Sequence, residues 1–346
     1  MPMSFTFTER RPNGDADFNW YKSRCSADGR IVYVGNYAAS AATGRVYRSI
    51  DYGEHFTQIN PTGSDVGFNI GGLDCSADGS VVIVGSFGNE TSVVGRVYIS
   101  TDYGANFTEL RPIGDVARDW AGVAVSGDGN TILMGQNATI ATAGRLWKSV
   151  APFSAFTELR PLGDADFYWR ATRINYDGTV MLASRSSDVD GTNTYLSADG
   201  GTNWTNESIG TSTSGISMEP AMSRSGSVLL LVDYTLQKVY FSANTGSSWA
   251  DVTPVASRNW RGAAVSQDGQ KFCVTDNSGR VWFSYNQGTA WTELRPAGDA
   301  NKSWRGVGMS SRGDRIFLTS QTRFYDGREL DPTAAPISAG GGIMTF

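Results

Sequence analysis

The feature that most restricts how this chain can fold is a unit that repeats along its whole length. A turn glycine marks each copy, at Gly29, Gly79, Gly129, Gly178, Gly226, Gly269 and Gly313, at intervals drifting from roughly 50 down to 43 residues. The fullest copy runs from Trp120 to Asp164. An aromatic opens the alternating run Trp120 to Ser126, and Gly127-Asp128-Gly129 turns the chain into the apolar run Thr131 to Gly135. Gly144 to Ser149 and Phe156 to Leu159 follow. Apolar runs this short, bounded by turn formers, are strands. One such four-stranded sheet cannot bury both of its faces, so tandem copies must pack on one another. The period is that of a propeller blade, and it predicts an all-β, seven-bladed β-propeller of four-stranded antiparallel blades.

The last copy supplies Trp304 to Ser310, Ile316 to Ser320 and Thr322 to Tyr325, and has no Phe-Thr-Glu strand of its own. That signature stands at Phe5 to Glu9, so the N-terminal strand is expected to complete the seventh blade and remove its free edge. The propeller then spans 1–326 and a short C-terminal tail spans 327–346. Ile343, Met344 and Phe346, beyond the Gly340-Gly341-Gly342 spacer, suit docking by strand addition, onto the propeller's own edge or onto a partner.

Five copies carry a second motif, Ser-x-Asp-x-Gly-x-x-Trp/Phe or its Asn form. Its acidic or amide residues are Asp51, Asp102, Asp199, Asn244 and Asn286. A side chain that can accept backbone amides across a turn, a glycine free to take positive φ and an aromatic to bury beneath make a self-sufficient hairpin. The motif resembles the Asp-box, or BNR, repeat of the sialidase-like and sortilin-like superfamily and of photosystem-assembly propellers, and the resemblance covers nearly the whole chain. Blade three departs from it at Ser149-Val150-Ala151-Pro152-Phe153, and blade seven lacks it.

The resemblance extends to the hairpin and not to a sialidase active site. Such an enzyme would need an arginine triad, a tyrosine nucleophile with its glutamate, and an early Phe/Tyr-Arg-Ile-Pro segment, which Arg10-Arg11-Pro12 does not match. The only histidine is His55, which removes Ser-His-Asp, Cys-His and histidine-based metal chemistry from the inventory. Cys25, Cys75 and Cys273 have no CxxC spacing, and Cys25 and Cys75 read as small buried thiols at one repeat position. The expectation is a non-enzymatic chain with no cofactor and no metal. A net charge of −5 gives no general pull toward nucleic acid or anionic membrane. No apolar stretch is long enough for a spanning helix, and the N-terminus reads as lacking an export signal.

Binding residues are sought where the repeats differ. The residue after the opening aromatic is Arg170, Arg261 or Arg305 in three blades, and these cations would ring one mouth of the channel or pair with linker aspartates. Lys22 stands one position further on in blade one. The loops joining second and third strands are long in blades one to four. They nominate Tyr37, Phe87, Glu90, Asn137, Arg185 and Asp188 as contact residues. Arginine in the recurring Arg-Pro-x-Gly-Asp linkers is expected to bond carboxylate or backbone across the blade interface.

Repeats alternating Trp-Thr-Glu-Leu-Arg-Pro-x-Gly-Asp with Gly-Arg-Val-Tyr-x-Ser-x-Asp-x-Gly resemble those of propellers from bacteriophages and environmental bacteria. That resemblance implies a virion-surface or tail-associated protein, made in the cytoplasm, that adheres to host glycan or docks to a capsid or tail subunit, with oligomerisation through virion symmetry. The alternatives are a soluble lectin, an assembly factor resembling photosystem-assembly propellers with the arginine ring as its site, and a degenerate sialidase-like glycosidase.

Overall fold

The computed structural model describes residues 4–330 except 15–16, 38–43, 64–68, 88–94, 117, 138–143, 162, 164–166, 187–193, 208 and 210–217. The structure is all-β, with seven sheets of four antiparallel strands and no helix among the described residues. The innermost strands of blades 1 to 7 are Trp20–Cys25, Asn69–Cys75, Trp120–Val125, Tyr168–Ile174, Met218–Met222, Trp260–Val265 and Trp304–Met309. In blades 1 to 6 the strands are consecutive in sequence. In blade 7 the outermost strand is Phe5–Arg10, paired from Phe5↔Glu329 to Arg10↔Phe324, as the displaced Phe-Thr-Glu signature predicts. The strand it pairs with, Phe324–Glu329, continues past the expected boundary at 326.

Stability resides between blades. Val81, Ile83, Val97 and Ile99 of blade 2 share one buried cluster with Trp120, Val123, Ile132 and Met134 of blade 3, and such a cluster fills each interface round the ring. Between blades 2 and 3 the inner strands approach so closely that small residues are obligatory. A Cβ on Gly71 would lie 2.4 Å from the carbonyl oxygen of Trp120, and one on Gly72 2.6 Å from that of Ala121.

A circuit of main-chain hydrogen bonds runs round the end of the channel where first strands turn into second strands. Ala27 N–H donates to Ala77 O at 2.6 Å, Ala77 to Gly127 O, Asp128 to Tyr176 O, Tyr176 to Arg224 O, Arg224 to Gln267 O, Gln267 to Ser311 O, and Ser311 back to Ala27 O at 2.7 Å. Each link joins one blade to the next, and blade 7 enters the circuit through Ser311, not through the Phe5–Arg10 strand.

The Ser-x-Asp-x-Gly hairpins form as their chemistry requires. In blade 2, Ser100 Oγ donates to Asp102 Oδ1 at 2.7 Å and accepts the Gly104 N–H at 2.8 Å. Asp102 Oδ1 accepts the Asn106 N–H at 2.8 Å. The backbone amide of Asn106, then its side chain and the Ser100 hydroxyl, hold the Asp102 carboxyl down at about 2. Asn244 and Asn286 accept the equivalent amides of Ser248 and Ala290 at 3.0 and 2.9 Å, which explains why an amide can replace the acid. We expect Asp102→Ala to cost about 1–2 kcal/mol in denaturant unfolding, because it orphans the turn amide, and Asp102→Asn to cost less than half of that.

The linker arginines bend back to the glutamate two residues earlier, Arg111 to Glu109 at 3.1 Å, Arg160 to Glu158 at 3.0 Å and Arg295 to Glu293 at 2.8 Å. The same glutamates also receive the arginine that immediately precedes the third strand of their own blade, Arg96, Arg145 and Arg280 respectively. Two cations per glutamate make the Thr-Glu-Leu-Arg-Pro repeat a device within the blade.

Candidate functional site

The opposite end of the channel gathers most of the residues nominated by sequence. In six blades the first strand carries a bulge just after the opening position of the repeat, which is Trp20, Ile70, Trp120, Trp169, Trp260 and Trp304 in blades 1, 2, 3, 4, 6 and 7. Pairing skips from Trp20 to Lys22, Ile70 to Gly72, Trp120 to Gly122, Trp169 to Ala171, Trp260 to Gly262 and Trp304 to Val307. A bulged residue loses its ladder partner and its side chain is re-aimed. The skipped residues are Tyr21, Gly71, Ala121, Arg170, Arg261 and Arg305 with Gly306. The position picked out by comparing repeats is thus special because of a backbone irregularity. Blade 5 pairs without a shift.

Arg170, Arg261 and Arg305 line one cavity of about 470 Å³ together with Tyr37, Phe87 and Asn137, and with Asn19, Tyr21, Asn69 and Asp119. Cations therefore come from blades 4, 6 and 7, and aromatics and amides from blades 1 to 3. Tyr21 and Tyr37 place their rings 5.8 Å apart, and the Arg261 guanidinium lies 4.0 Å over the Tyr234 ring. Among the described residues, none of the three has a carboxylate within ion-pair distance; the linker residues Asp15, Asp164 and Asp166 lie outside the described residues.

Polar groups at this mouth are also left without partners. The Nε groups of Arg261 and Arg305 are buried with no hydrogen-bond acceptor, and Oδ1 of Asn19 and of Asn69 is buried with no donor. Orphaned groups of this kind are uncommon, and several in one cavity need a cause. Burial, and then the positive charge of Arg261, lower the pKa of Arg305. An anion seated between the two arginines would relieve both effects.

Arg185 does not line the mouth. It is buried, with its guanidinium 4.2 Å over the Phe167 ring. Glu90, Asp188, Ile343, Met344 and Phe346 lie outside the described residues. Asn19, Asn69 and Asp119 were missed by comparing repeats. Each immediately precedes the opening residue of its blade, and that position is the signal that would have found them.

Deeper in the channel the structure places a charged cluster that the sequence reading did not assemble. Glu219 of blade 5 accepts Lys22 Nζ at 2.9 and 3.0 Å, Arg24 Nη2 at 3.4 Å and Arg173 Nη2 at 3.1 Å. Arg24 Nε also donates to Asp74 at 3.1 Å, and the other Asp74 oxygen accepts the Val125 amide. Burial alone would raise the Glu219 carboxyl, but Lys22, Arg173 and Arg24 outweigh it and hold the group at about 2. Lys22 consequently belongs to this cluster and not to the arginine mouth. Arg24, Asp74 and Arg173 each stand four residues after the opening residue of their blades, where blades 3, 6 and 7 have Ala124, Ala264 and Gly308.

The three free cysteines stand apart from both clusters of charge-bearing side chains in their chemistry, because burial pushes each thiol well above its ordinary range. His55 is exposed and its Nδ1 lies 2.6 Å from Asp51 Oδ2 in the hairpin of blade 1.

No protein-family model matches this chain. No curated protein matches it either. Among solved structures it is similar to "YCF48 bound to D1 peptide", with a TM-score of 0.66 and 14% identity, covering 96% of this chain and 97% of that one. It is also similar to YCF48 from Cyanidioschyzon merolae, with a TM-score of 0.63 and 12% identity, covering 92% of this chain and 98% of that one. At such identity these likenesses speak for the fold.

Proposed function

We propose that this chain is a binding propeller, without catalysis of its own, that holds an anionic segment of a protein partner at the arginine mouth. The observation that carries this reading is the pair Arg261 and Arg305, whose buried Nε groups have no acceptor and which have no carboxylate within ion-pair distance among the described residues. Three arginines against the single lining carboxylate of Asp119, set beside aromatic and amide side chains in a cavity of this size, suit an acidic peptide better than a neutral sugar. A neighbour of the same fold whose structure holds a bound peptide supports a protein partner. Of the readings raised by the sequence, this is closest to the assembly factor with an arginine-ring site. Adhesion at a virion surface has no comparable support.

The test is direct. A fluorescent Glu/Asp-rich peptide should bind the wild-type chain with an affinity that weakens as salt is raised. The double substitution Arg261→Gln with Arg305→Gln should reduce that affinity by about tenfold to a hundredfold, since two desolvated charge-assisted contacts are lost. Unchanged affinity in the double variant, or equal binding of the peptide with Gln and Asn in place of its acids, would overturn the reading.

A further inference from the structure

We infer a second anion site, for a small inorganic monoanion, in the cavity beneath the Glu219 cluster at the channel end opposite the arginine mouth. The first observation is a charge count over a closed set of buried groups. Lys22, Arg24 and Arg173 bring three positive charges, and Asp74 and Glu219 bring two negative ones, with side chains 14%, 12%, 13%, 12% and 12% exposed. One positive charge is left over. Two guanidiniums converge on a single oxygen, Glu219 Oε1, so one carboxylate serves both.

The second observation is space on the unserved side. A cavity of about 190 Å³ is lined by the largely buried Arg24, Arg173 and Asp74 and by the exposed Arg224, whose guanidinium lies 3.3 Å over the Tyr176 ring, whereas Lys22 and Glu219 do not line it. Arg173 donates through Nη1 to Thr172 O and through Nη2 to Glu219, and its Nε has no acceptor among the described residues. That volume holds a halide with several waters. The backbone of the surrounding turns is consumed by the main-chain circuit, and each guanidinium nitrogen of Arg24 already has an acceptor in Asp74, Ser23 O or Glu219, which leaves Arg173 as the principal donor. Burial and the proximity of Arg24 lower the pKa of Arg173, which fits a cation short of counter-charge. A dianion or a large organic acid would exceed the single buried charge to be balanced and would meet Asp74.

Bromide is the probe. Crystals of the full chain grown in sodium bromide should show an anomalous peak within hydrogen-bond distance of the Arg24 or Arg173 guanidinium. In solution, the midpoint of thermal unfolding should rise with bromide when ionic strength is held constant with sodium gluconate. Arg173→Met balances the cluster at two charges of each sign and should weaken this response about tenfold or more, whereas Glu219→Gln leaves three cations against one acid and should strengthen it about tenfold. Bromide bound at the arginine mouth would contribute equally to all three proteins, so the difference between them isolates the lower cavity. An identical bromide response in the three proteins overturns the site. If a variant does not fold, the wild-type map decides, and a map with no peak in this cavity likewise overturns it.

Discussion

Glu219→Ala should lower the free energy of unfolding by about 3–5 kcal/mol at neutral pH, the range for removing one partner of a buried ion pair and stranding the others. Lys22, Arg24 and Arg173 all lose an acceptor in that variant, and they come from blades 1 and 4, which no shared core cluster joins. The same residue predicts an acid limb. Its carboxyl sits at about 2 in the folded chain against an ordinary value of 4.5, so protons bind more readily to the unfolded state. The contribution, about 3 kcal/mol from the linkage of the two values, is complete above about pH 4.5 and is lost as pH falls toward 2. Urea unfolding at pH 7, 4 and 2.5 should show the wild type converging on Glu219→Ala as the pH is lowered. A constant gap between the two curves would sink the assignment of this carboxyl as the charged hub.

Deletion of residues 1–10 should be at least as damaging, costing more than about 5 kcal/mol and destroying the single cooperative transition. The deletion removes an entire outer strand from blade 7, including Phe5, whose ring lies 4.9 Å from that of Phe283, and Phe7, which packs in the same cluster between blades 6 and 7. It also strips the Phe324–Glu329 strand of its pairing along one side, exposing an edge that invites aggregation. Adding a peptide of sequence Phe5 to Arg10 in trans should restore part of the transition, by the strand addition other sheets use for binding. Equal unfolding midpoints for the truncated and intact chains would show that the main-chain circuit alone is enough to close the ring.

The fold was legible because its determinants are local and repeated. Each Ser-x-Asp-x-Gly hairpin is specified within a few residues, and seven turn glycines set the blade count before any tertiary contact is considered. The displaced Phe5–Glu9 signature was legible for the same reason: it is one more copy of a known phrase. The mouth was legible only in part. Arg170, Arg261 and Arg305 stood out because their counterparts Gly71 and Ala121 are small, yet the bulge that gives the position its meaning is a backbone event with no side-chain signature. Glu219 could not be read at all. Its partners are two residues of blade 1 and one of blade 4, brought together by the radius of the ring, and blade 5 lacks the opening tryptophan that would have fixed its register. Arg185 shows the converse, since a charged residue next to a long loop draws attention in the sequence and its packing on Phe167 is visible only in the structure.

The main-chain circuit from Ala27 round to Ser311 acts as a hoop on one head of a drum. Among the described residues no such closed circuit encircles the other head, where the arginines stand. Expansion to admit a guest should therefore be one-sided, with wedges tilting outward about a clamped base. Amide deuteration should separate the two heads accordingly, slow and guest-insensitive at Ala27, Ala77, Tyr176, Arg224, Gln267 and Ser311, and responsive to the acidic peptide around Tyr37 and Asn137.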